Sequence, residues 1–421
     1  MRGGAVSEPA VDVSIVMPCL NEAQSLAHCI ASAQAALAML HERRGLRGEI
    51  VVADNGSTDG SQEIARRLGA RVLPVAERGY GAALRNGFEA ADGRYLVMGD
   101  ADGSYEFREA VAMVEALADG ADLCMGSRFR GGIAPGAMPW KNRWIGNPVL
   151  TGVLNLLFRT GATDAHCGLR ALTRGCFERL RLTGSGMEFA SEMLIKASLK
   201  RERIVEVPAT LSPDLRGRPP HLRPWRDGWR HLRYLFMLSP SGVFAAPAAV
   251  GAAASLFVLL SAGWGALTEP GTPSIFGNYW IILAAAVLGV SQMAAILAVA
   301  GHLYGVREGY RRPKPWVRRL ASWISLETMA VSGAASALAG LAVLVGVVAA
   351  WTQRSFGAAD SVLLPVVGTL LMTLGMQNVL GGFLLAIVGG NEARFLACES
   401  PHPVTSAPGL RPGVLEPATT R

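Results

Sequence analysis

Two carboxylates one residue apart, Asp100 and Asp102, follow an apolar run, Tyr95-Leu-Val-Met-Gly. On an extended chain, positions i and i+2 point to the same side, so the two could face one cation. Such hard oxygen ligands suit Mg2+ or Mn2+, which complete their shells with water and phosphate oxygens. The pair therefore implies a nucleotide diphosphate site at the carboxyl end of a strand, where α/β sheets bind ligands. A D-x-D after a strand is also a common turn, so the decision falls to its neighbours.

Three further clusters sit where strands should end. Pro18-Cys-Leu-Asn-Glu follows an apolar run over 13–17, and Asp54-Asn-Gly-Ser-Thr-Asp follows one over 49–53. Arg78-Gly-Tyr-Gly-Ala-Ala-Leu-Arg-Asn-Gly opens a helical pattern over 81–91. Residues 13–210 alternate strand-like and helix-like segments, with further strands expected at 71–75, 95–99 and 121–126 and helices at 22–40, 61–68 and 107–118. This rhythm predicts a mostly parallel, Rossmann-like sheet covered by helices on both faces, with Pro18, Asp54 and Asp100 along one edge.

With these motifs together, the chain resembles the inverting family 2 glycosyltransferases of GT-A fold. The nearer likeness is to the polyprenyl-phosphate glycosyltransferases, the dolichyl-phosphate mannose or glucose synthase type. The resemblance covers residues 13–240 and is supported by Gly126-Ser-Arg-Phe-Arg, Asp164-Ala-His-Cys-Gly-Leu-Arg and Gly186-Met-Glu-Phe-Ala-Ser-Glu-Met. It implies that Pro18, Asn21 and Glu22 contact the nucleotide and that Asp54 reads the base. Gly81 and Arg85 would hold nucleotide and position a helix, and Asp100, Ala101 and Asp102 would form the donor and metal site, with Asp100 and Asp102 as ligands. Relatives often carry Gln two residues after the second Asp; Ser104, a poorer ligand, stands there. The resemblance also implies that Arg128 and Arg130 hold the acceptor phosphate and that Asp102, Arg128 and Arg170 serve the reaction centre. A lipid phosphate, with a last pKa of about 6, is already ionised and needs no strong general base. Arg holds such a group better than Lys because its donors are bidentate. Glu188 and Glu192, one helical turn apart, read equally as sugar-orienting groups or as a solvated face. His166 reads as a loop histidine rather than a metal ligand.

The elements that must carry this site change character near residue 240. Four long stretches without a charge follow, at 243–267, 279–301, 329–350 and 362–389. Each exceeds the roughly 18 apolar residues expected of a membrane span. Arg216, Arg218, Arg223, Arg226, Arg230 and Arg233 precede the first stretch, and Arg307, Arg311, Arg312, Lys314, Arg318 and Arg319 lie between the second and third. The other two connections hold only Arg354. Positive charge on the cytoplasmic side then places both termini and the 13–213 domain inside, in an integral inner or plasma membrane protein. Residues 1–12 and 394–421 read as disordered tails, 214–241 as a basic hinge with an amphipathic helix, and 242–393 as an all-α four-helix transmembrane domain. Leu222, Trp225, Trp229, Leu232 and Phe236 share one helical face beside Arg223, Arg226, Arg230 and Arg233, the pattern of a helix in the headgroup layer.

The formal charge of +7 is concentrated next to the spans, which favours anionic lipid over nucleic acid as the partner. None of the six cysteines forms a C-x-x-C pair, which argues against a zinc site and fits free thiols. The expected partners are a nucleotide-sugar donor, polyprenyl (undecaprenyl) phosphate and membrane lipids, with a homo-oligomer left open. The competing readings are a processive polysaccharide synthase, whose Q-x-x-R-W motif is missing, and a membrane scaffold or lipid translocator with an inactive transferase domain.

Overall fold

The computed structural model describes residues 11–217, 224–268, 276–309, 311, 325–357 and 361–391. The expected disordered tails, Leu222 and most of the basic loop before the third span lie almost wholly outside these residues, as do the side chains of Trp225, Arg226 and Arg230. The chain divides into two compact units, Met1–Arg312 and Pro313–Arg421.

In the first unit, seven strands form one sheet: β1 Val13–Cys19, β2 Gly48–Asp54, β3 Arg71–Pro74, β4 Tyr95–Met98, β5 Leu123–Ser127, β6 Arg170–Thr173 and β7 Ile204–Pro208. Their order is β3-β2-β1-β4-β6-β5-β7. β1, β2, β3 and β4 run parallel, as do β5 and β7, and β6 alone is inserted antiparallel between β4 and β5. This polarity brings the ends of β1, β2, β4, β5 and β7, and the start of β6, to the same edge. Val13, Ile15, Val16 and Met17 of β1 are fully buried, as a central parallel strand covered on both faces must be. On one side pack α1 (Leu26–Arg44), α2 (Ser61–Arg67) and α4 (Ala110–Ala118), and on the other α3 (Tyr80–Ala90). A short turn α5 (Arg128–Gly131) leads to α6 (Asn147–Phe158), α7 (Arg174–Leu180) and α8 (Glu188–Lys200).

Two helices next to the spans are apolar on opposite faces. In α6, Thr151, Leu154 and Phe158 face inward, while Val149 and Leu156 stay 56% and 80% exposed. The π-helical turn before it, Asn142–Gly146, exposes Trp144 and Ile145, and Trp140 just ahead of it is exposed too. In α9 (Pro224–Leu238), His231, Leu235 and Leu238 are buried, against α6 and α8, whereas Trp229, Phe236 and Met237 face outward. Apolar side chains on the outward as well as the inward face suit a second apolar environment such as lipid.

Among the described residues, four helices are long and apolar enough to cross a membrane: Ser241–Thr268, Asn278–Arg307, Leu326–Gln353 and Leu363–Gly389. The shortest, 27 residues, spans about 40 Å at 1.5 Å per residue, beyond the roughly 30 Å of a hydrocarbon core. The last two make up the described part of the second unit and pack through small residues. A Cβ on Gly333 would stand 2.6 Å from the Gly375 carbonyl, and one on Gly340 2.5 Å from that of Gly368. Such close approach replaces the hydrophobic drive that lipid removes.

Candidate active site

The carboxylate pair lies in the loop that follows β4, at the edge where most strands end. Asp102 is buried and oriented by its own turn: Oδ1 accepts the backbone N–H of Ser104 at 2.9 Å and its hydroxyl at 2.6 Å. Ser104, weighed above as a weak third ligand, therefore holds Asp102 in place. Asp102 Oδ2 accepts from Arg216 Nη2 at 2.6 Å. The Tyr80 hydroxyl lies beside Asp100 and favours its charged form. Burial, and then Asp102, push the Asp100 carboxyl up to about 7, although Tyr80, Arg216 and Arg128 act the other way. Gly168 makes the approach possible, because a Cβ there would stand 2.6 Å from Asp100 Oδ2.

A half-buried carboxylate pushed upward by its neighbour, beside a buried one balanced by a guanidinium, is a donor set that fits a divalent cation. Among the described residues no group of three or more His, Cys, Asp or Glu side chains is set to hold a metal. The remaining ligands would come from water or phosphate, which suits Mg2+ or Mn2+.

The loops around the pair lock onto one another. Asn21, at φ 60°, receives the amide of Thr58 on Oδ1 at 2.8 Å and donates its own to Ser57 Oγ at 2.8 Å. Glu22 is buried, its amide bonded to Ser61 Oγ at 2.9 Å and its Oε1 3.4 Å from Arg216 Nη1. Asp54 caps its own turn through the amides of Gly56 and Ser57 and receives Gln62 Nε2 at 2.7 Å. Ala101 lends its carbonyl to Ser25 Oγ at 2.7 Å. Pro18 sits in the last turn of β1, paired with Ala53 of β2. Gly81 opens α3 where a Cβ would stand 2.8 Å from the Gly186 carbonyl and 2.8 Å from Phe189 Cβ. Arg85 is committed to Glu77 and to the Thr183 carbonyl, so it ties α3 to that loop.

The arginines separate into two kinds. Arg128 is clamped by Asp164, with Nε–Oδ2 at 2.6 Å and Nη2–Oδ1 at 2.7 Å, and only 9% of its side chain is exposed. Burial opposes both charges, yet the pair holds Asp164 below the usual carboxylate range. Arg130 is half-exposed and 3.9 Å from Glu206. Arg170, expected to serve the reaction centre, is wholly buried, and Nε, Nη1 and Nη2 donate to the carbonyls of Cys167, Ala190 and Ala165. It is a staple that shapes the loop behind Asp100. His166 lies beside it; burial, His231 and Arg128 push it down to about 3, and its Nε2 has no hydrogen-bond partner.

The two glutamates of α8, equivalent in the sequence, also part. Glu192 is fully buried, paired with Lys196 at 2.6 Å and bonded to the amides of Thr183 and Gly184. Glu188 bonds the Gly186 amide at 3.0 Å through one oxygen, while the other is buried without a partner. Sequence alone does not single out Tyr80, which lies inside the Arg78–Gly87 motif, or Arg216, which is one of many charges before a span.

Residues 14–181 match Glycosyl transferase family 2, and residues 299–389 match the Glycosyltransferase family 2 C-terminal transmembrane region. The low-salt glycan biosynthesis hexosyltransferase Agl6 of Haloferax volcanii is 36% identical over 386 residues, 91% of each chain. The dolichyl-phosphate hexose transferase of the same organism is 30% identical over 47% of this chain and 81% of its own. Among solved structures, the glucosyl-3-phosphoglycerate synthase of Mycobacterium tuberculosis, in complex with Mn2+ and uridine diphosphate, is 23% identical with a TM-score of 0.39, over 54% of this chain and 78% of that one.

Proposed function

The chain belongs to glycosyltransferase family 2, and we propose that it moves one hexose from a nucleotide sugar, of UDP-glucose or GDP-mannose type, to a polyprenyl phosphate at the cytoplasmic membrane face. The observation that carries this reading is the half-buried Asp100 and buried Asp102 pair at the sheet edge, beside the Pro18–Glu22 and Asp54–Asp59 loops.

Asp100 and Asp102 would hold Mg2+ or Mn2+. When bound, the cation would neutralise charge that develops on the departing diphosphate. Ser104 keeps Asp102 aimed, and Tyr80 favours the charged form of Asp100. Asp54 and Asn21 fix the two loops that would border the base. Attack by a lipid phosphate oxygen forms the new bond to the anomeric carbon. The bond from that carbon to the donor phosphate oxygen breaks, and its electron pair leaves with the diphosphate. No proton is transferred, which suits a site with no exposed basic histidine among the described residues. Attack opposite the leaving group inverts the anomeric centre, so an α-linked donor gives a β-linked product.

Arg130 is the better-placed contact for the acceptor phosphate because its guanidinium is exposed, whereas Arg128 is held by Asp164. The outward stripes of α6 and α9 support delivery from the bilayer. Leu157 of α6 lies against the start of the first span, where a Cβ on Gly242 would stand 2.7 Å from Leu157 Cδ2. Aromatic and aliphatic side chains there, with Lys141 and Arg143 between them, suit a headgroup layer.

Donor screening tests the reading. Release of UDP or GDP from a common nucleotide sugar should depend on added undecaprenyl phosphate. Release that ignores the lipid phosphate with every donor would overturn it.

A further inference from the structure

Arg216 belongs to a strap that follows β7 and lies over the carboxylate loop. The strap is pinned by its own backbone: the Ser212 amide bonds the Ser104 carbonyl at 2.9 Å, the Leu215 amide that of Asp102 at 2.9 Å, and the Gly217 amide Gln24 Oε1 at 2.8 Å. Leu215 also covers Gly103, where a Cβ would stand 2.7 Å from Leu215 Cδ1. These contacts fix the strap without the Arg216 side chain.

The guanidinium is nonetheless turned inward, with 14% of its side chain exposed. It stands 2.6 Å from Asp102 Oδ2, 3.4 Å from Glu22 Oε1 and 3.3 Å from Asp214 Oδ2. One positive charge therefore serves three carboxylates, with Asp100 nearby as a fourth. Its Nε is buried and has no acceptor. A buried N–H without a partner is unfavourable, so this donor is set for an acceptor supplied from outside the protein. A planar guanidinium with a free edge matches phosphate oxygens.

We propose that Arg216 is an exchangeable counter-ion: it balances Asp102 in the empty site, and when a divalent cation takes Asp102 it turns to the diphosphate of the bound nucleotide. The proposal rests on the donor reading above. It makes the cation and the guanidinium rivals for Asp102 in the absence of nucleotide and allies once a diphosphate is present. A structural clamp predicts something else, because its loss would weaken both ligands together.

The test uses the full-length protein in detergent, as wild type, Arg216→Ala and Arg216→Lys. Mn2+ alone is titrated by electron paramagnetic resonance. UDP, GDP, UMP and GMP are then titrated by calorimetry at saturating Mn2+. Removing the rival charge should tighten Mn2+ alone by about tenfold in Arg216→Ala, as expected for a nearby like charge worth one pKa unit. The same variant should weaken UDP or GDP by about tenfold, the loss of a charge-assisted pair, and leave UMP and GMP unchanged. Arg216→Lys should keep wild-type Mn2+ affinity while recovering only part of the diphosphate affinity. Weaker or unchanged Mn2+ binding in Arg216→Ala would overturn the exchange, as would equal losses for diphosphates and monophosphates. If wild type binds neither UDP nor GDP, the donor reading fails, and the Mn2+ titration still decides the exchange. Should Arg216→Ala fail to fold, Arg216→Gln replaces it.

Discussion

Two charge clusters lie on one edge of the same sheet and differ in how they are satisfied. Around loop 164–170, each described charge has a protein partner. Arg128 is forked onto Asp164, and Arg170 donates to three carbonyls. After β4 a charged donor is left over: Asp100 is pushed upward by burial and by Asp102, and Arg216 Nε has no acceptor. In loop 164–170 the one buried side-chain polar atom without a partner is Nε2 of His166, which is held neutral, whereas an unpaired buried atom on a charged group points to a ligand. The arginine cluster is scaffold, and the carboxylate cluster is prepared for guests. Substitutions in the first should therefore cost stability, and those in the second should cost function.

The largest expected effect is on the carboxylates. Asp102→Asn should lower turnover about a thousandfold, the scale of removing a main electrostatic element, while far-UV circular dichroism stays that of wild type. The next concerns the scaffold. Asp164→Ala leaves Arg128 buried and unpaired, which should destabilise the protein by about 3–5 kcal/mol, read from its melting temperature. If Asp164→Ala melted like wild type while Asp102→Asn unfolded, the contrast between the clusters would be reversed.

A smaller effect is expected outside both clusters. Leu156→Glu, on the exposed stripe of α6, should lower transfer to a lipid acceptor by about tenfold and leave UDP or GDP affinity unchanged, since a charge is disfavoured at an acyl boundary. The smallest is a pH effect. His166 is pushed from its ordinary 6.5 to about 3 by burial, His231 and Arg128. The folded state then binds fewer protons than the unfolded one between those values. Stability is complete above 6.5 and is lost as pH falls toward 3. Between pH 6.5 and 5.5 the loss should reach about 1 kcal/mol, and His166→Gln should flatten it in melting curves.

Much of the fold was legible because parallel strands announce themselves as apolar runs ending in Pro18, Asp54 and Asp100. The four spans were legible from length and charge alone. β6 was not, because Arg170-Ala-Leu-Thr is short and begins with a charge whose burial depends on carbonyls from other segments. Of the amphipathic face expected of α9, Trp229 and Phe236 face outward, while the same helix buries His231, Leu235 and Leu238 on its other side. In the site, Asp100 and Asp102 were visible through spacing. Arg216 was not, since its partner Asp102 is 114 residues away and only the strap brings them together. Glu188 and Glu192 share spacing and type, so only the surrounding amides could tell them apart.

The account stands most directly on one measurement. The full-length protein, reconstituted in vesicles with undecaprenyl phosphate, is given labelled UDP-glucose or GDP-mannose with and without Mn2+. The account predicts a labelled lipid carrying one hexose, formed with Mn2+, lost with chelator and missing in Asp102→Asn. No labelled lipid from any common donor, or a long polymer in place of a single sugar, would contradict it.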